Sequence, residues 1–289
     1  WELALLPTAA WGTTAGTAQT IKHLLKRGTS VVKKVVPIKD RTIIINKDSN
    51  TQMTSSFGID LNNRSRTKYI LDSNGKKIGA FKEAGSHGYP HKEVLTYELC
   101  ISIGCRVVPK TKYAKFRTQE GSYQKFAEGV TRGDLSLKFS SYQEYIRALQ
   151  DTNSTIRQDF DEMVVLDLIG GNHDRNWDNY IIDLDKGRLH AIDNSYSFLN
   201  IKPSYSSPTE LVKNTGWIED AEDAQIFQQP ISKKIKRMIL QIDFRAVQHI
   251  FQQNNTNEAI FRERILRLQS ILRQNPRATL EDLTHSLLL

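Results

Sequence analysis

With 289 residues the chain can bury a substantial core, as one two-lobed domain or as two small ones. Its 39 % hydrophobic and 25 % charged content suits a soluble globular protein, and no apolar run approaches the ~20 residues of a membrane span. The formal net charge of +8 favours polyanionic partners, among them nucleotides, inositol phosphates and anionic membrane surfaces; no zinc-finger, helix-turn-helix or RNP pattern supports nucleic acid, and none is expected.

The chain starts at Trp1, which suggests a processed fragment, and no signal peptide is read from it. Residues 1–45 read as a basic N-terminal extension. Ile21 to Arg27 is a short basic amphipathic helix, and Val31 to Ile45 is β-branched and broken by Pro37, which predicts a strand or strand pair. Tyr69 to Asp72 and Lys77 to Phe81 flank Asn74-Gly75 and predict a hairpin. A helix follows from Glu93 to Ile103, ended near Gly104. Strands are predicted at Val107-Val108, at Thr111 to Phe116 and over Gly121 to Phe126. Cys100 and Cys105 lie five apart, in this helix and just past its end. That spacing is poor for a bridge, so a reducing, cytosolic compartment is expected.

Helices are predicted over Tyr142 to Gln150 and over Ile156 to Leu168. A loop leads to strands at Tyr180 to Ile182 and Leu189 to Ile192, joined by a turn at Asp185-Lys186-Gly187. Three more helices follow: Ser232 to Leu240, Phe244 to Gln252 and Ile260 to Arg273. Phe261, Ile265, Leu268 and Leu272 form a stripe in the last of them and belong to the core. The expected fold class is α+β and bilobal. A β-rich N-lobe with one main helix covers 46–128, and a mostly helical C-lobe covers 129–289.

The loop Gly171-Asn172-His173-Asp174-Arg175-Asn176-Trp177-Asp178-Asn179-Tyr180 and the hairpin to Asp193 carry the chemistry. An Asp, an Asn five residues on and a second Asp after a short hairpin form the constellation of a kinase-type phosphotransferase. Asp174 would orient or deprotonate the attacking hydroxyl. Asn179 and Asp193 would hold Mg²⁺ (or Mn²⁺) against the phosphates of ATP. Lys82, at the end of the strand Ile78 to Lys82, can reach the α/β phosphates. Either Glu93 or Glu98 would pair with it, and the sequence leaves that choice open. The stretch Gly121 to Phe126 would cross between the lobes. Its backbone would bond the adenine edge, with Phe126 or Tyr123 covering a face.

These blocks resemble the phosphatidylinositol 3-/4-kinase-like family, closest to the type II phosphatidylinositol 4-kinase and atypical protein kinase branch. The resemblance rests on Ile78 to Lys82, Val107 to Lys112, Gly121 to Gly129, Phe160 to Asp167, Asn172 to Ile182, Ala191 to Asn194 and Gln229-Pro230-Ile231-Ser232. It implies Lys82 as the phosphate-binding lysine, Asp174 as the catalytic aspartate, Asn179 and Asp193 as metal ligands, and Gln124, Lys125, Phe126 and Ala127 as the hinge. Some positions depart from the pattern. The phosphate-covering loop, Asn62 to Thr67, has no glycine, so Arg64 or Ser65 would replace backbone amides there. Ser195 stands where the family has Gly, His173 where it has Thr, and the cysteine-rich lipidated insertion is missing.

The acceptor should be set by the segment after Asp193. Asn194 to Trp217 carries two lysines and many hydroxyls, and Glu219, Asp220, Glu222 and Asp223 follow. Acidic residues would be repelled by an anionic bilayer. This favours a protein substrate and autophosphorylation within Asn194 to Thr215 over the alternative, a phosphoinositide lipid at a peripheral membrane site. The domain also resembles secreted bacterial effector kinases, which implies the host cytosol. Two basic groups, Lys22 to Arg41 and Lys233 to Arg237, suggest activation by an inositol polyphosphate. A pseudokinase acting as a polyanion-binding scaffold is the reading from a different class.

Overall fold

The computed structural model describes residues 36–37, 44–46, 67–72, 74–84, 89–116, 118–172, 174–198, 225–254 and 256–285, the first two by backbone alone. The first lobe is built on a six-stranded sheet of order β1-β5-β6-β4-β3-β2. Its strands are β1 (Val36–Pro37), β2 (Ile44–Asn46), β3 (Thr67–Leu71), β4 (Lys77–Glu83), β5 (Thr111–Phe116) and β6 (Gln119–Lys125). Pro37 sits on an edge strand, the place in a sheet where proline is tolerated. Both edge strands come from the region before residue 47, so the sheet draws on either side of residue 45.

The β3–β4 hairpin turns at Asn74-Gly75, but through a longer loop than two residues. The Asp72 carboxylate accepts the N–H groups of Asn74 and Lys76, both at 2.9 Å, and Gly75 takes the left-handed φ of +78° that favours glycine. Helix α1 (Pro90–Ser102) starts three residues earlier than the expected Glu93, with Pro90 in its first turn, a position where the missing N–H is harmless.

Two expectations are corrected just after α1. Gly104, at φ +82°, reverses the chain so that the Cys105 N–H meets the Cys100 carbonyl at 2.8 Å. The two thiols are free, buried and 2.8 Å apart, so their spacing is not poor geometry once the helix has stopped between them. Val107 and Val108 are buried but form no strand. The Val107 carbonyl instead accepts the N–H of Ala191 from the second lobe, at 3.0 Å.

The second lobe opens with β7 (Val130–Thr131), which pairs with β8 (Tyr180–Asp183) and through it with β9 (Arg188–Ala191). Its helices are α2 (Arg132–Ser136), α3 (Phe139–Gln150), α4 (Thr155–Gly170), α5 (Lys233–Leu240), α6 (Phe244–Gln253), α7 (Glu258–Gln274) and α8 (Leu280–His285). The short helices α2 and α8 were not expected. Both follow a Thr-x-x-Asp capping signature: Thr131 caps Asp134, and Thr279 and Asp282 cap each other reciprocally.

Helix α4 is the axis of this lobe. Ile156, Phe160, Met163, Val164 and Leu168 are buried as expected, and so are four of its carboxylates. Three of these carboxylates hold other pieces of chain, and Asp161 holds a side chain of the helix itself. Asp159 binds Arg188 and the Leu189 N–H of β9, Asp161 binds Arg157, Glu162 binds the Arg106 N–H and Lys234, and Asp167 binds Arg175. Gly171 ends the helix in a left-handed conformation, φ +67°. The expected fold class stands: α+β and bilobal, with a β-rich first lobe carrying one main helix and a mostly helical second lobe.

Candidate active site

Strand alternation decides which side chains of β4 face the cleft. Ile78, Ala80 and Lys82 share one face; Phe81 points the other way, into the small sheet core. The Lys82 ammonium lies 2.5 Å from Glu93 Oε1 and 2.8 Å from Asp193 Oδ1, a partner 111 residues away. Burial alone would lower the Lys82 pKa, but the charges of Glu93 and Asp193 reverse that and raise it, so the lysine stays cationic. Of the two candidate carboxylates on α1, Glu93 is therefore the one that pairs with Lys82. Glu98 lies on another side of α1, near Tyr113, where burial pushes its carboxyl above the usual range. The second oxygen of Glu93 accepts the Asn194 N–H at 3.1 Å.

The loop after α4 is shaped by its own polar side chains. Asn172 Oδ1 accepts the Asp174 N–H, and the Asn176 carbonyl accepts that of Asn179. The Asn179 side-chain nitrogen donates to the Asp174 carbonyl. Arg175, wholly buried, binds both oxygens of Asp167. Asp193 takes φ +53°, unusual for a residue other than glycine. Its side chain is 44 % exposed to the cleft, and Ser195 Oγ donates to it at 3.2 Å. Burial first, and the Asp193 charge second, raise the Asp174 pKa above the usual carboxylate range.

These residues fit a hard divalent cation. Carboxylate and amide oxygens are its preferred ligands. The Asn179 nitrogen is already committed to Asp174, which leaves the amide oxygen as the end suited to a cation. The mutual repulsion of Asp174 and Asp193 marks a spot where positive charge is favoured. Among the described residues no group of three or more His, Cys, Asp or Glu is placed to hold a metal ion.

Part of the expected hinge is committed to the sheet. The Lys125 N–H is taken by the Lys110 carbonyl at 2.8 Å and that of Phe126 by Ile78 at 3.0 Å. The Gln124 amide binds Thr111. Sheet pairing thus extends through Phe126, and Ala127 is the first of the four expected residues beyond it. Tyr123 pairs with Phe81 and shares its face, away from Lys82. Its ring lies over Gly79, where an added Cβ would be 2.3 Å from it. Phe126 is therefore the aromatic on the Lys82 side. Tyr69 is there too, paired with Ala80 and edge-on to Phe126 at 5.8 Å, with the Lys77 ammonium 4.3 Å from its ring centre. Counting the hairpin register back from Lys82 would have found it. Arg64, Ser65 and His173 lie outside the described residues.

A family model described as phosphatidylinositol 3- and 4-kinase matches residues 39–284. The chain belongs to that family. It is a kinase-like phosphotransferase. No curated protein matches it significantly. Among solved structures it is similar to the crystal structure of a Helicobacter pylori proinflammatory kinase, CtkA. That match has 13 % identity and a TM-score of 0.39, covering 76 % of this chain and 94 % of that one. Among the described residues no helix of this kinase is long and apolar enough to cross a membrane.

Proposed function

We propose that this family member is an ATP- and Mg²⁺-dependent (or Mn²⁺-dependent) protein kinase that also labels itself. The observation that carries the reading is the meeting of Lys82, Glu93 and Asp193 at 2.5 and 2.8 Å, beside the loop bearing Asp174 and Asn179. Lys82 binds phosphate oxygens of the nucleotide and Glu93 holds it in place. Asp174 orients the acceptor hydroxyl and takes its proton as the oxygen bonds to the γ-phosphorus and the bond to the β-phosphate oxygen breaks. Asn179 and Asp193 would hold the cation, which neutralises charge building on the phosphates. Phe126 and Tyr69 flank the adenine, and Ala127 offers the first backbone groups free of the sheet ladder. In this reading the lobes divide near 128/129, between β6 and β7.

The protein acceptor rests on the hydroxyl-rich and acidic composition of 194–223, most of which lies outside the described residues. Of its described hydroxyls, Ser195 and Ser197 are buried and Tyr196 is 44 % exposed, so labelling should fall on Tyr196 or beyond. Polyanion activation rests on Lys22 to Arg41, from sequence alone. In the second basic group Lys234 is engaged by Glu162 and Lys236 by the Pro276 carbonyl, leaving Lys233 and Arg237 exposed. The two free thiols suit a reducing compartment.

Radiolabelled ATP offered in parallel to the protein alone, to generic protein substrates and to phosphatidylinositol vesicles tests the reading. Protein labelling without lipid labelling is the expected result. Efficient lipid labelling with no protein labelling would replace it with the lipid kinase reading. No transfer at all, with intact nucleotide binding, would replace it with the scaffold reading.

A further inference from the structure

We propose that Arg175 is a positioning residue that sets the backbone carrying Asn179 and Asp193; the inference rests on the reading of those two as the cation ligands. A guanidinium has five N–H donors in a rigid plane. In this structure each one has its own acceptor. Nε and Nη2 take the two oxygens of Asp167 at 2.8 and 2.9 Å. Nη1 takes the Asn179 carbonyl at 2.6 Å and the Ile192 carbonyl, and Nη2 also takes Asn194 Oδ1 at 2.6 Å. Neutralising Asp167 uses two donors. The other three go to the two segments that carry the proposed ligands.

Asp193 is bracketed as a result. Before it, the Ile192 carbonyl is held by Arg175, and the Ile192 N–H is held by the Asn179 carbonyl at 2.9 Å. After it, the Asn194 side chain is held by Arg175 and the Asn194 N–H by Glu93 at 3.1 Å. Between these anchors Asp193 adopts φ +53°, a conformation that an L-residue keeps when its surroundings fix it. The Asn179 carbonyl serves both Arg175 and Ile192, so one guanidinium ties the two strand ends together. Its footing is Asp167, in the last turn of α4, and therefore the helical core. A lysine could not do this, having a point charge and no planar fork.

The test uses the full chain, with Mn²⁺ as the probe and nucleotide binding by calorimetry as the readout, beside the thermal midpoint. The variants are Arg175→Lys, Asn194→Ala and, as a control, Arg157→Lys. Arg157 is equally buried, but it bonds to Asp161, Leu149 and Gln229, none of them in the two loops. Arg175→Lys should raise the Mn²⁺ concentration needed for half-maximal nucleotide binding by about tenfold or more, the usual scale for losing a group that orients metal ligands. Binding in the presence of a chelator should hold near the wild-type level. Asn194→Ala, which removes one of the five acceptors, should move the Mn²⁺ requirement the same way by less, and it carries the test if Arg175→Lys does not fold. Arg157→Lys should lower the midpoint and leave the requirement unchanged. An unchanged requirement in the Arg175 variant, or an equal shift in the Arg157 control, overturns the inference. The site reading fails separately: Asp193→Asn with a wild-type Mn²⁺ requirement would refute the cation site itself.

Discussion

The two sides of the cleft are held by different physics. On the sheet side the buried apolar cluster is small: Ile70, Phe81, Ala114 and Phe116, with Tyr123 against it. On the helical side one continuous core runs from Leu95 in α1 to Leu283 in α8. Helix α1 follows the β3–β4 hairpin in sequence, yet it packs Leu95, Leu99 and Cys100 into the helical core. Glu93 therefore belongs mechanically to the helical side. Lys82 stands on the thinly packed side and is tied across by ion pairs. In the proposed site a well-packed, rigid half carries Glu93, Asp174, Asn179 and Asp193, and the sheet delivers Lys82 with Phe126 and Tyr69.

The largest expected effect is on the rigid half. Asp193→Ala removes both the proposed cation ligand and a partner of Lys82. Transfer should fall by about a thousandfold or more, roughly 4 kcal/mol of transition-state stabilisation. Mg²⁺-dependent nucleotide binding should vanish while cooperative unfolding remains. Wild-type turnover in that variant would break the assignment. Asp174→Ala should separate binding from chemistry: nucleotide affinity persists, and transfer drops by far more than about tenfold. A smaller loss would mean another group handles the acceptor proton.

A paired truncation sharpens the comparison between the sides. Phe81→Ala and Phe160→Ala each delete a buried ring, at a local cost of about 3–5 kcal/mol. Phe160, packed edge-on to Phe227 at 6.0 Å, should lower the global midpoint. Phe81 should act mainly on its own lobe, with faster amide exchange over β3–β6, weaker nucleotide binding and a smaller shift of the midpoint. Equal midpoint shifts with no regional exchange pattern would show that the two sides unfold as one unit.

What the sequence disclosed follows the same division. That Lys82 meets Asp193 beside the loop bearing Asn179 was legible from the order of the residue types, and their chemical roles remain the proposal. The helices α3 to α7 were legible because each has an apolar stripe or an apolar run. The partner of Lys82 on α1 was not, since choosing between Glu93 and Glu98 requires knowing which side of α1 meets the sheet. The choice between Phe126 and Tyr123 was not legible, because one step of strand register changes the face. The contact between Cys100 and Cys105 depends on one left-handed glycine, and the role of Arg175 on two loops that meet in space. Val107-Val108 reads as a strand in any local window, because its bonding partner, Ala191, is supplied by the other lobe.

The smallest expected effect is a displacement of the pH profile, and it probes the rigid half alone. Asp174 must be a carboxylate to take the acceptor proton. Its pKa is raised above the ordinary 3.8 by burial and then by the Asp193 charge, and is held down by hydrogen bonds from Asn176 and Asn179 and by the charge of Arg175. Transfer should therefore be lost as pH falls through a value above 3.8, with the active form present at higher pH. Asn176→Ala removes a bond that favours the carboxylate, so the acidic limb of kcat/KM should move to higher pH. A displacement below about one pH unit corresponds to less than roughly 1.4 kcal/mol. Asn176 is exposed on the loop, so the fold should tolerate the change. A loss of turn geometry alone would lower the plateau and leave the limb where it was. A limb that moves to lower pH, or not at all, would mean that the group titrating there is not Asp174.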